Sequence, residues 1–137
     1  MGCDIHIYEQ SGSSISDDGI LCHRNYGMFG FLANVRNYSK VPCISPARGL
    51  PEDVDELIRA EYEDNFDVHT ASWLTIEELL SFDYNQTFED RRINGDVLPI
   101  GEGKMLTIRE FLGEKFIDNL KKMKEDGVER IIFWFDN

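Results

Sequence analysis

The stretch Val128-Glu129-Arg130-Ile131-Ile132-Phe133-Trp134-Phe135 constrains the fold more than any other part of the chain. Its apolar run from Ile131 to Phe135 leaves no polar face, so a strand there must be covered on both sides and belongs in the middle of a sheet. The other well-marked strand lies at residues 3–9, where Ile5 and Ile7 alternate with Asp4, His6 and Tyr8. The two ends of the chain are therefore expected to pair. The predicted architecture is α+β: a small sheet including the paired N- and C-terminal strands, covered by helices from the middle of the chain.

The segments between these strands follow in order. Ser11-Gly12-Ser13-Ser14 and Asp17-Asp18-Gly19 form turns, and Ile20-Leu21-Cys22-His23 reads as a short second strand hairpinned on the first. Met28, Phe31, Leu32 and Val35 have helical spacing, which predicts a helix near 27–35. Residues 39–50 read as loop. Pro51-Glu52-Asp53 opens a helix that Val54, Leu57, Ile58, Ala60 and Tyr62 carry to about residue 63. Asp67-Val68-His69 is read as a connecting segment. Thr75-Ile76-Glu77-Glu78 is a capping box for a short helix through about Phe82. Residues 83–103 read as irregular, with turns at Arg91-Arg92 and Asn94-Gly95 and a short strand at Val97-Leu98. A second capping box, Thr107-Ile108-Arg109-Glu110, starts one helix burying Ile108, Phe111, Leu112, Phe116, Ile117, Leu120 and Met123, with Gly127 closing it.

Composition narrows the class. A chain of 137 residues with 42% apolar and 12% aromatic content is long and apolar enough for one folded domain over 1–137. No apolar run reaches the roughly 18 residues of a membrane span, and no leader is expected before a strand that opens at residue 3. Met1-Gly2-Cys3 lacks the Ser or Thr at position 6 that N-myristoylation favours. Three cysteines without a CxxC pair indicate reduced thiols and a cytoplasmic setting. The net charge of −12 opposes binding to nucleic acid phosphates and favours divalent cations or basic protein surfaces.

Candidate chemistry centres on two Asp-aliphatic-His triplets. Asp4 and His6 share one strand face, because residues i and i+2 point the same way. Asp67 and His69 repeat the spacing. Together they would hold a divalent metal such as Zn, Mn or Fe, with Asp67 or His69 as a further ligand or as general base toward metal-bound water. Asp-x-His on a first strand resembles the opening motif of calcineurin-like metallophosphoesterases, although no Gly-Asp-x-x-Asp or Gly-Asn-His completes it. Arg24, Arg36 and Arg48 sit in or beside Gly- and Pro-rich loops, where arginine forks hold phosphate. Tyr26, Phe29, Tyr38 and Trp73 offer a stacking surface beside them. Asp136 ends the last strand next to Asp4 and His6, and Cys3 faces the core with Ile5.

The opening Met-Gly-Cys-Asp-Ile-His, the Arg24-Asn25-Tyr26-Gly27-Met28-Phe29-Gly30 segment, Pro46-Ala47-Arg48-Gly49-Leu50-Pro51, His69-Thr70-Ala71-Ser72-Trp73-Leu74 and the closing Phe133-Trp134-Phe135-Asp136-Asn137 resemble a family of small phage and prophage proteins. The resemblance spans most of the chain and is least evident at 83–103. It implies a phage-type accessory protein acting inside a bacterial cell, and it implies no particular activity.

Two functional classes follow. One is a metal-dependent hydrolase acting on a phosphorylated or nucleotide-like small molecule, with Arg36 or Arg48 on the phosphate. The other is a non-catalytic binder, either a sponge for a signalling nucleotide or an acidic inhibitor of a host protein. On charge alone, the protein is expected not to retard unrelated duplex DNA in a gel-shift assay at physiological salt. A micromolar, salt-sensitive shift would contradict this reading.

Overall fold

The computed structural model describes residues 2–137. Met1 of the opening motif, and with it the start of the Met1-Gly2-Cys3 reading, lies outside the described residues. The chain ends pair as expected. Strand β1 (Asp4–Ser11) and strand β8 (Arg130–Asp136) run antiparallel with Ile5 opposite Phe135 and Ile7 opposite Phe133. The four-stranded sheet has the order β2-β1-β8-β3, with β2 at Ser14–Asp17 and β3 at Val68–Thr75. β8 thus lies in the interior of the sheet, and Ile131, Ile132, Phe133, Trp134 and Phe135 are each at most 1% exposed.

Alternation along β8 divides the core in two. Ile131, Phe133 and Phe135 enter the larger core with Ile5 and Ile7 of β1 and Leu74 of β3. Its cover comes from α1 (Tyr26–Ala33), α3 (Ile76–Ser81), α4 (Ile108–Leu112) and α5 (Glu114–Glu125), through residues such as Phe29, Leu79, Ile108 and Leu120. Ile132 and Trp134 enter a smaller core with Val54, Ile58 and Ala71, under α2 (Glu56–Glu63). Tyr62 and Tyr8 pack their rings against Trp134 at 5.3 and 5.7 Å.

Several local readings are corrected. The partner of β1 is Ser14–Asp17, not Ile20–His23, because Gly12-Ser13 makes the tighter hairpin turn, with Ser11 opposite Ser14. Residues 20–23 instead form a loop fastened by Asp18, whose buried carboxylate accepts from Ile20 N at 3.1 Å and Leu21 N at 2.6 Å. α2 starts after Asp55, whose side chain caps Leu57 N at 2.9 Å, so Pro51–Asp53 precede the helix; Leu57 is 81% exposed rather than inward-facing. The helix expected after Thr107 is two helices, broken at Gly113, where φ of +89° takes the chain out of the helical region. Both capping boxes are present, at Thr75–Glu78 and Thr107–Glu110.

Residues 83–103 are more ordered than the sequence indicates. β4 (Thr87–Asp90) pairs with β7 (Lys104–Thr107), and β5 (Arg92–Ile93) with β6 (Asp96–Val97). Asn94 and Gly95 both have positive φ, +45° and +79°, as a two-residue type I′ turn requires. Strands of two to four residues are too short to show an alternating pattern.

Asp67-Val68-His69 is not a connection. Val68 opens β3, and the ladder shifts register between His69 and Ser72. Thr70 stands at φ +57°, unusual for a β-branched residue, and the bulge it forms supplies the extra residue of that shift. Since β8 depends on two-sided burial, Phe133→Ala is expected to cost about 3–5 kcal/mol in chemical denaturation, and a loss below about 1 kcal/mol would contradict the central placement.

Candidate functional site

β8 separates the two Asp-x-His triplets. His6 lies opposite Trp134, so it leaves the sheet on the smaller-core face, stacked on that indole at 6.0 Å. His69 lies opposite Phe135, on the larger-core face, stacked on that ring at 6.2 Å. Their backbones are two strand spacings apart, about 10 Å, and their imidazoles leave opposite faces. One ion cannot take both, so Asp4, His6, Asp67 and His69 do not fit the shared metal site expected of them.

Each has a different neighbour instead. Asp4 receives two hydrogen bonds from Arg24, Nε at 2.9 Å and Nη2 at 3.0 Å. His6 Nε2 lies 3.3 Å from Asp136 Oδ2. His69 contacts Thr70 Oγ1 through Nδ1 at 2.8 Å and Asn137 Oδ1 through Nε2 at 3.2 Å. The Asp67 carbonyl accepts from Asn137 N at 3.4 Å. Among the described residues no group of three or more His, Cys, Asp or Glu is arranged to hold an ion. Cys3 is fully buried, and burial pushes its thiol up, so it is not poised as a nucleophile.

The three loop arginines also separate. Arg48 grips Glu78 with Nη1 to Oε1 at 2.9 Å and Nη2 to Oε2 at 2.5 Å, and lies 4.7 Å from the centre of the Trp73 ring. That hydrogen-bonded pairing holds the Glu78 carboxyl down at about 2. Glu78 also closes the capping box of α3, so Arg48 and Trp73 fasten a loop to β3 and α3. Arg36 lies 5.5 Å from the centre of the Tyr26 ring, whose hydroxyl accepts from Cys3 N at 3.0 Å. Arg24 and Tyr26 share a concavity.

That concavity has a volume of about 520 Å³ and is lined by His23, Arg24, Asn25, Tyr26 and Arg92. It lies at the N-terminal end of α1. Asn25 caps the helix by accepting from Met28 N at 3.1 Å, while the first helical N–H groups have no intrahelical acceptor. Arg92 arrives from β5. Its hairpin is anchored by Arg91, which donates from Nε to Leu98 O at 2.8 Å and from its backbone N to Ser39 O at 3.2 Å. The Arg92 guanidinium meets no acceptor and no ring among the described residues. Two guanidinium groups, an imidazole and an amide around a helix N-terminus can bind an oxyanion.

A second hollow, about 450 Å³, shares His23 and Asn25 with the first. Leu21, Met28 and Phe116 give it an apolar floor, and Lys115 and Asn119 of α5 stand at its edge. Sequence reasoning missed His23, Asn25, Arg92, Lys115 and Asn119 as site residues. The Asn94-Gly95 dipeptide was the available signal for Arg92, since a type I′ hairpin fixes where its flanking residues go.

A third hollow, about 250 Å³, is acidic and includes His6, Tyr8, Asp17, Asp18 and Glu61. Tyr8 donates to Glu61. Nearby Glu9 is pushed up to about 7, first by burial and then by its hydrogen bond to Asp18 and the negative charges around it. A carboxyl raised above its ordinary value of 4.5 holds a proton in the folded state that the unfolded chain has released. Its stabilising contribution is complete below that ordinary value and is lost as pH rises through about 7. The melting temperature is therefore expected to fall between about pH 5 and pH 8, and Glu9→Gln to flatten that fall. An unchanged slope in the variant would show that other groups cause it. In comparisons with known proteins, no family model, no curated protein and no solved structure matches this chain.

Proposed function

We propose that the protein is a non-catalytic binding module for a small phosphorylated ligand, with the anionic group held between Arg24 and Arg92 at the N-terminal end of α1. The observation that carries this reading is the Arg92 guanidinium, which has no partner among the described residues although the chain has 26 acidic and 14 basic residues. Elsewhere carboxylates take up arginines: Arg48 with Glu78, Arg59 with Glu63, Arg109 with Glu114 and Arg130 with Asp53. A cation beside a helix N-terminus, with a second arginine and an imidazole facing the same space, suits phosphate.

The net charge of −12 does not oppose this locally. Repulsion from distant carboxylates is screened beyond about 8 Å at physiological ionic strength, while a phosphate in the hollow lies within contact range of its arginines. The lining includes cations, an amide and a phenol and no carboxylate, which favours holding a ligand over hydrolysing it. No helix is long and apolar enough to cross a membrane. In the phage-type setting that the sequence resembles, such a module would act in the bacterial cytoplasm as a sponge for a phosphorylated signal.

Titration calorimetry with pyrophosphate tests the reading. Arg92→Ala should weaken binding about tenfold or more, the scale of a lost hydrogen bond to a charged group. Asp4→Asn should tighten it, because Arg24 loses the carboxylate that competes for it. Absence of binding heat in the unaltered protein, or unchanged affinity in a folded Arg92→Ala variant, would overturn the proposal.

A further inference from the structure

We infer that the ligand is a nucleotide, with its base in the hollow that adjoins the anion site. This rests on the reading of the Arg24–Arg92 hollow as a phosphate site. The two hollows have His23 and Asn25 as a common wall, so a molecule with an anionic end and an apolar body can occupy both around one side-chain boundary. The second hollow, about 450 Å³, lies within the range of small-ligand sites.

Its floor is firm. Leu21 and Met28 are each 1% exposed and Phe116 is 6% exposed, so all three are held by the main core. Ile20 and Leu112, partly buried in the same lining, leave the apolar surface that a flat ring would take from water without disturbing that packing.

The rim is polar. The Asn119 side chain makes no hydrogen bond among the described residues, so its carboxamide offers both donors and an acceptor to the hollow. Asn25 Oδ1 is already engaged by Met28 N, which leaves its Nδ2 as a donor. Lys115 adds an ammonium with no ion-pair partner among the described residues. An acyl chain would leave the Asn119 carboxamide without a match, whereas the polar edge of a purine, guanine or adenine, presents it with hydrogen-bond partners.

The test compares GMP, AMP, ribose 5-phosphate and pyrophosphate by titration calorimetry on the full chain. At least one of GMP and AMP should bind about tenfold more tightly than ribose 5-phosphate. Asn119→Leu should remove most of that advantage and leave pyrophosphate affinity within about twofold. Neither nucleotide binding more tightly than ribose 5-phosphate would overturn the base assignment while pyrophosphate binding kept the phosphate site. Failure of all four ligands, pyrophosphate included, would remove the phosphate reading and this inference together.

Discussion

A strand that is apolar on both faces must be sealed on both, and that requirement organises the molecule around β8. The larger face takes Ile131, Phe133 and Phe135 under four helices. The smaller face has only α2 and the segment before it to cover Ile132 and Trp134. With so thin a cover, β1 contributes the stacked ring of His6 and the packed ring of Tyr8 to cover the indole. His6 is thus part of a hydrophobic seal. The His6 side chain itself stays 42% exposed, so what it adds is cover over the Trp134 indole, which is 1% exposed.

The charge distribution follows from the same economy of cover. Helices that present only one apolar stripe expose their remaining faces, and the helices hold nine of the 26 acidic residues. Arginines near them are drawn into pairs at the surface, such as Arg59 with Glu63 along α2. Each pair is worth little, about 0–1 kcal/mol, but each one satisfies a guanidinium locally. What distinguishes the hollow at the start of α1 is that the chain brings Arg92 to it on a separate hairpin, away from the helical carboxylates. The hollow is therefore formed where the ribbon meets the helical layer, and neither part lines it alone.

The sequence was informative where local and long-range constraints agreed. The apolar run at 131–135 and the alternation at 4–8 fixed the central pair of strands, and the Thr-x-x-Glu boxes at 75 and 107 marked two helix starts. It was less informative where one residue changes the path: Gly113 divides a continuous apolar pattern into two helices, and the bulge at Thr70 is invisible to periodicity. The reading of one metal shared by both Asp-x-His triplets failed for a physical reason. Spacing within a strand shows which side chains share a face, but only the register with β8 decides whether two strands show the same face to each other. Arg24, named for phosphate on loop context, and Tyr26, named as a stacking ring, do line the concavity, whereas Arg92 needed the folded hairpin to bring it there.

The pairing of β1 with β8 joins positions 130 residues apart, as at His6 and Asp136. During synthesis from the N-terminus, β1 and β3 both leave the ribosome before their shared neighbour β8 exists. β1 and β3 never touch each other in the finished sheet, so the nascent chain has no native way to satisfy the facing edges of these two strands. The sheet can close only when β8 slides between them as the last piece, which makes assembly a late, long-range event with a large loop-closure cost. Until then the α1 and α2 segments lack the strand they cover, so a ribosome stalled before residue 130 would hold a chain with two bare strand edges and no core.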